Sequence, residues 1–232
     1  MRIGGFQKLT LLDYPGQMAC IVFTEGCNLR CPFCHNAPLT VPSAGAPAVS
    51  QEEVLSYLAR RRGLLDGVVL SGGEPLLQTD AADFLRAVRD LGYLIKLDTN
   101  GCYPQQLEAL LTAGLVDHIA MDVKHRLEAY PLAVGRESGD VVAAVEASMA
   151  LLRGCGLPFE FRTTFVKGIH QESDAGAIAA WIAGEQPYYL QSYVDSGAVL
   201  RPEGLSAFSP QELSHMREQA RVHCPNTFLR GE

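Results

Sequence analysis

Cys27, Cys31 and Cys34 fall within eight residues, in the run Glu25-Gly26-Cys27-Asn28-Leu29-Arg30-Cys31-Pro32-Phe33-Cys34-His35-Asn36. A CxxxCxxC spacing lets three thiolates wrap one metal centre on a single short loop. Structural zinc sites usually bring paired CxxC knuckles and complete four ligands. Here a fourth ligand would have to be His35, adjacent to Cys34, or one of the isolated cysteines 20, 102, 155 and 224, none of which has a knuckle partner. Zinc is therefore the lesser reading. A four-iron four-sulfur cluster on three cysteines is the better one, because it leaves one iron open to a ligand from outside the protein. The isolated cysteines read as small core side chains, Cys102 least firmly because it follows another motif.

Three further polar motifs accompany the cysteines. Ser71-Gly72-Gly73-Glu74-Pro75 combines two glycines, which permit close backbone approach to a ligand, with a carboxylate able to accept a hydrogen bond from an ammonium. Taken alone, it is also an ordinary tight turn. Asp98-Thr99-Asn100-Gly101 and Ala120-Met121-Asp122-Val123-Lys124 bring two carboxylates and a lysine. The plain alternative is a pair of solvated loop starts with Asn-Gly turn chemistry. If they converge, the two acids repel unless Lys124 or a metal ion shares their site. Arg162 alternates with Glu160 and Thr164, opposite Phe159, Phe161 and Phe165, so it faces either outward or into a barrel whose base should be apolar.

The elements that must position these residues alternate. Strands are predicted near 19–24, 67–71, 93–98, 116–121, 158–166 and 187–194, and helices near 51–62, 80–91, 104–113, 139–153, 174–183 and 210–221. Ser50 with Glu53 and Ser209 with Glu212 read as capping boxes, while Gly92, Gly114 and Gly154 sit where C-terminal caps belong. Phe84, Leu85, Val88 and Leu91 form one apolar stripe. Six βα units imply an α/β fold with a parallel sheet, open or curled into a partial barrel, and reactive groups at the carboxyl ends of the strands. All the motifs but Arg162 fall at such ends. The 232 residues carry a net charge of −7 without a long basic run, which disfavours a nucleic-acid or membrane partner. No apolar stretch approaches a membrane span, and Asp13, Pro15 and Gly16 interrupt the N-terminal segment, so a cytoplasmic protein is expected.

CxxxCxxC with an aromatic before the third cysteine resembles the radical S-adenosylmethionine (SAM) superfamily. That resemblance implies a partial (β/α)6 barrel of parallel strands, one 4Fe-4S cluster on Cys27, Cys31 and Cys34, and SAM as second cofactor. It puts Phe33 and His35 beside the cofactors and gives Gly72, Gly73 and Glu74 the SAM amino group. No catalytic residue beyond the cofactors is implied. The strand-end acids are similar to those of the activating enzymes of glycyl radical enzymes, which implies that Asp98, Thr99, Asp122 and Lys124 hold the SAM carboxylate and a monovalent cation. An inward Arg162 would join them. Where the pyruvate formate-lyase activator type carries a histidine after the sixth strand, this chain has Leu190-Gln191-Ser192-Tyr193, leaving Gln191 or Tyr193 as the replacement.

Gly5-Phe6-Gln7-Lys8-Leu9-Thr10-Leu11-Leu12-Asp13-Tyr14-Pro15-Gly16 resembles the short activating proteins of anaerobic ribonucleoside-triphosphate reductase, although Pro-Gly also suits an edge hairpin. The resemblance spans about residues 3–195 and implies a glycyl radical enzyme as partner and an electron donor such as flavodoxin or ferredoxin. One domain is expected, with an N-terminal segment 1–16, a core 17–195 and a C-terminal helical segment 196–232. Two other functions compete: a radical SAM enzyme on a small molecule such as a modified-nucleoside precursor, and a non-enzymatic metal module that would leave the strand-end motifs unexplained.

Overall fold

The structure is a computed structural model, and it describes residues 1–231 apart from 43, 46 and 136–138. In chain order its elements are β1 (Ile3–Thr10), β2 (Ala19–Thr24), α1 (Ala37–Thr40), α2 (Gln51–Arg60), β3 (Gly67–Gly72), α3 (Ala81–Asp90), β4 (Leu94–Thr99), α4 (Pro104–Thr112), β5 (His118–Asp122), α5 (Tyr130–Val134), α6 (Gly139–Gly154), β6 (Phe159–Phe165), α7 (Asp174–Ile182), β7 (Tyr188–Ser192), α8 (Pro210–Arg221) and β8 (Thr227–Arg230). The strands form one sheet in sequential order. β1 runs antiparallel to β2, and every later neighbour is parallel. The two end strands do not pair among the described residues, so the sheet curls but stays open.

The six expected parallel strands are all present, and two more extend them. β1 and β2 make the edge hairpin that Pro15-Gly16 suggested, with Gly16 at φ +72° and Gln17 N–H donating to Tyr14 O. β8 lies in the segment expected to be helical, and α8 is its only helix among the described residues. Four residues of β-compatible sequence are too few to stand out by periodicity, and β8 is held by pairing with β7 instead. At α8 the Ser209 and Glu212 capping box is complete, and at α2 the Ser50 hydroxyl accepts from Glu53 N–H. Gly154 departs from expectation. It ends α6, and the left-handed conformation falls on Gly156 at φ +71°.

Strand alternation splits the apolar residues into two packed regions. Val22, Leu70, Ile95, Leu97, Ile119, Met121, Phe161 and Leu190 point outward into the main core, against Phe84, Leu85 and Val88 of α3 and the other helices. Ala19, Ile21 and Val69 point inward with Tyr14. The inner face is apolar only there. Along β4 to β8 it carries charge: Lys96 pairs with Asp98 at 2.6 Å, and Glu160 accepts from Arg230 at 3.1 Å beside His118. The expectation of an apolar barrel base thus holds on one flank and fails on the other, because each buried charge is matched by an opposite one from a neighbouring strand.

Candidate active site at the carboxyl ends of the strands

Register places the motif residues side by side. Thr24 is level with Gly72, Asp98 with Ala120, Asp122 with Arg162, and Thr164 with Gln191. One cavity of about 350 Å³ opens at this end, and all thirteen expected site residues line it: Cys27, Cys31, Phe33, Cys34, His35, Gly72, Gly73, Glu74, Asp98, Thr99, Asp122, Lys124 and Arg162. Gln191 lines it too. Tyr193 is absent from the lining, and its hydroxyl is buried without a partner.

The cysteine loop is stitched on both sides. Gly26 N–H donates to Leu39 O and Cys27 N–H to Thr40 O, so α1 supports the loop's start. Leu200 N–H donates to Cys34 O and Arg201 N–H to Pro32 O, at 3.1 and 2.9 Å. Sequence reasoning missed this strap, since backbone donors leave no side-chain signature. All seven cysteines are free thiols. Burial pushes the Cys27 thiol up to about 11 and that of Cys31 up to about 12. A metal centre taking these sulfurs must therefore displace protons. Among the described residues no three Cys, His, Asp or Glu side chains converge tightly enough to hold a single ion. Three thiols that share a cavity without meeting at one point fit a multi-iron cluster, in which each thiolate takes a different iron, better than they fit zinc.

Gly72 and Gly73 do make a close backbone approach, but to the cysteine loop's own stem. A Cβ on Gly72, at φ +120°, would stand 2.2 Å from Thr24 N, and one on Gly73 would stand 2.1 Å from Gly26 O. Gly73 N–H and Glu74 N–H donate to Thr24 O and Gly26 O across this contact. Glu74 likewise turns inward. Its Oε1 accepts from Leu76 N–H and the Thr99 hydroxyl, and its Oε2 from Asn100 N–H at 2.8 Å. Expected as the acceptor for a ligand ammonium, this fully buried carboxylate first of all ties the end of β3 to the end of β4. Burial pushes it up to about 7 against those three donors.

Asp98 and Asp122 are brought together by Arg162, whose Nη1 reaches Asp98 Oδ2 at 3.2 Å and whose Nε reaches Asp122 Oδ1 at 2.8 Å. Lys96 and Lys124 take the remaining oxygens, at 2.6 and 2.9 Å. Burial opposes ionisation of both acids, yet Arg162 with Lys96 or Lys124 outweighs it and holds both below the usual carboxylate range. For Lys124, burial is overcome mainly by Asp122, so it stays charged. Three cations face two carboxylates, which leaves one net positive charge aimed at the cavity. The knot can take a further carboxylate, and the acids coexist through a guanidinium fork that spans both. Lys96 was missed by sequence reasoning, although its alternation with Asp98 on β4 was the available signal.

Behind Lys124 lies a pair of stacked imidazoles, His125 and His170, with ring centroids 4.5 Å apart. His170 Nε2–H donates to Lys124 O at 3.0 Å, and its ring meets Phe33 of the cysteine loop edge-on. These two residues carried no sequence motif.

A family model described as the radical SAM superfamily matches residues 21–178. A Methanocaldococcus jannaschii protein assigned as a glycyl-radical enzyme activating enzyme is 32% identical over 232 residues, covering 98% of this chain and 95% of its own. The pyruvate formate-lyase-activating enzyme of Clostridium pasteurianum is 36% identical over 129 residues, 53% of this chain and 52% of its own. Among solved structures, a radical SAM methyltransferase from Sphaerobacter thermophilus superposes with a TM-score of 0.72 at 16% identity, over 96% of this chain and 68% of its own, a likeness of fold alone. With its cysteine loop and strand-end motifs opening on one cavity, this chain belongs to the radical SAM superfamily.

Proposed function

We propose that this chain is a radical SAM activase that removes hydrogen from a glycine of a partner glycyl radical enzyme, with anaerobic ribonucleoside-triphosphate reductase as the partner. When bound, the cluster and SAM supply a deoxyadenosyl radical through one-electron reductive cleavage. The chain's own residues bind and orient. Cys27, Cys31 and Cys34 hold the cluster, with Phe33 and His35 against it. The backbone of Gly72 to Glu74 offers acceptors to the SAM amino group, Thr99 supports that turn through Glu74, and Arg162 with Lys124 takes the SAM carboxylate. A monovalent cation between Asp98 and Asp122 would take over the bridging that Arg162 provides and free the guanidinium for the ligand. Gln191 and Thr164 lie on the same wall for the rest of the molecule.

The observation that carries the glycyl-radical reading is the likeness along nearly the whole chain to a protein assigned that role. The choice of reductase rests on the N-terminal segment. Its Gln7 and Asp13 line the cavity, so this segment forms part of the wall a partner loop would meet. The electron donor is a small one-electron carrier such as flavodoxin or ferredoxin, and a reducing cytoplasm keeps the three thiols available. No described helix is long and apolar enough to cross a membrane. Anaerobic protein mixed with SAM, a reductant and the candidate reductase should generate a persistent glycyl signal by electron paramagnetic resonance. A reductase that stays silent while a small molecule is turned over would replace the glycyl target with the small-molecule reading.

A further inference from the structure

We propose that Asn100 sets the reduction potential of the cluster by donating a side-chain hydrogen bond to Cys27. The proposal rests on the cluster reading above and goes beyond it, because it concerns the electron rather than the ligands.

Asn100 follows β4 and is only 6% exposed. All of its amide is committed. Oδ1 accepts from Cys102 N–H at 3.0 Å, while Nδ2 donates to Asn28 Oδ1 at 2.9 Å and to Cys27 Sγ at 3.8 Å. A backbone N–H cannot exchange roles, so its bond to Oδ1 fixes which way the amide points and leaves the NH2 edge toward sulfur. Cys27 Sγ also accepts from Leu29 N–H at 3.4 Å. Among the described residues Asn100 is the one side-chain donor to a sulfur of the triad. The other contact is backbone, which no substitution removes.

An N–H dipole aimed at a cluster thiolate stabilises the electron-rich, reduced state more than the oxidised one, and so raises the potential. Burial away from water strengthens the effect. The placement is also coupled. Asn100 N–H holds Glu74 Oε2, so the turn assigned to the SAM amino group and the donor to the cluster sulfur are adjacent parts of one residue. Movement of that turn shifts the amide against the sulfur.

The test compares wild-type, Asn100→Ala and Asn100→Ser proteins, each reconstituted anaerobically with iron and sulfide counted, in a potentiometric titration followed by the resonance of the reduced cluster. Both variants should hold the full iron complement and reduce less readily. For Asn100→Ala the reduced-to-oxidised ratio at a fixed potential should fall about tenfold, equal to about 59 mV for one electron. Asn100→Ser, which keeps a hydroxyl donor, should lie between. Cys102→Ala leaves the backbone donor that orients Asn100 and should not move the potential. In wild-type protein labelled with 15N only in asparagine side chains, the reduced cluster should show a 15N hyperfine coupling, a readout that needs no variant. Equal potentials in fully loaded wild-type and variant proteins, or no such coupling, would overturn the proposal. Wild-type protein that takes up no iron would overturn the cluster reading itself, and the proposal with it.

Discussion

Acidification from about pH 7 to about pH 5 should cost the apoprotein about 2 kcal/mol through His170 alone. The ring is 5% exposed and held as the neutral Nε2–H form: Val166 N–H donates to Nδ1 at 3.3 Å, and Nε2–H donates to Lys124 O. A second proton would meet the Val166 donor head-on and place a charge against the stacked His125, itself held neutral by Arg126 N–H and Ile169 O. The nearest carboxylate, Asp174, is already engaged by Arg126 at 2.8 Å. Burial and then His125 therefore push His170 down from 6.5 to about 4. The folded value lies below the unfolded one, so the unfolded chain binds more protons between them. The stabilisation is complete above about 6.5 and is lost as the pH falls toward about 4. It amounts to about 3 kcal/mol in full, with about 2 kcal/mol gone by about pH 5. Urea unfolding at the two pH values, in wild type and in His170→Phe, reads the difference directly. Wild type should lose about 2 kcal/mol more than the variant. An equal loss in both would refute the assignment of the neutral pair.

Cys27→Ala, Cys31→Ala and Cys34→Ala should each abolish iron uptake after anaerobic reconstitution, while Cys20→Ala and Cys224→Ala, at sites buried in the main core, should keep it; iron and sulfide assays decide. Arg162→Ala leaves Asp98 and Asp122 without their shared cation and should cost about 3–5 kcal/mol in denaturant titration. Arg162→Lys should recover only part of that, because an ammonium cannot span both acids as the fork does. SAM binding should weaken by about 1–3 kcal/mol in Asp98→Ala, Asp122→Ala and Lys124→Ala, and by less than the sum in the double aspartate variant, measured calorimetrically with and without potassium. Additive losses that ignore potassium would argue against a shared cation.

Much of this site could be read before any coordinates, and the reason is topological. Parallel α/β sheets gather loops at one end, so motifs following predicted strands converge whatever the intervening helices do. Cys27, Asp98 and Asp122 needed only the correct strand ends. What stayed hidden depends on distances between remote residues. Alternation left Arg162 facing either way, and only the β5 and β6 register, Asp122 level with Arg162, turned it into a bridge. Asn100 lay within a quoted motif but read as turn chemistry, since its role depends on a sulfur 73 positions away in sequence. The residues after Ser196 seemed uninformative because their contributions are backbone donors at Leu200 and Arg201, a four-residue strand, and Arg230 reaching across to Glu160. Glu74 shows the converse: its type suggested a ligand contact, and its geometry makes it the tie between β3 and β4.

Deuterium transfer tests the proposed reaction most directly. The candidate glycyl radical protein, carrying deuterium on its glycine α-carbons, would be incubated anaerobically with this enzyme, SAM and a one-electron reductant, and the deoxyadenosine product weighed by mass spectrometry. Hydrogen abstraction requires the target carbon within about 3–3.5 Å of the radical carbon, so the partner's glycine loop must enter the cavity beside Arg162 and Gln191. One deuterium should appear in the product, together with the glycyl signal. Deoxyadenosine formed at full rate without deuterium, and with no radical on the partner, would contradict the activase reading and leave the fold and the cofactor site in place.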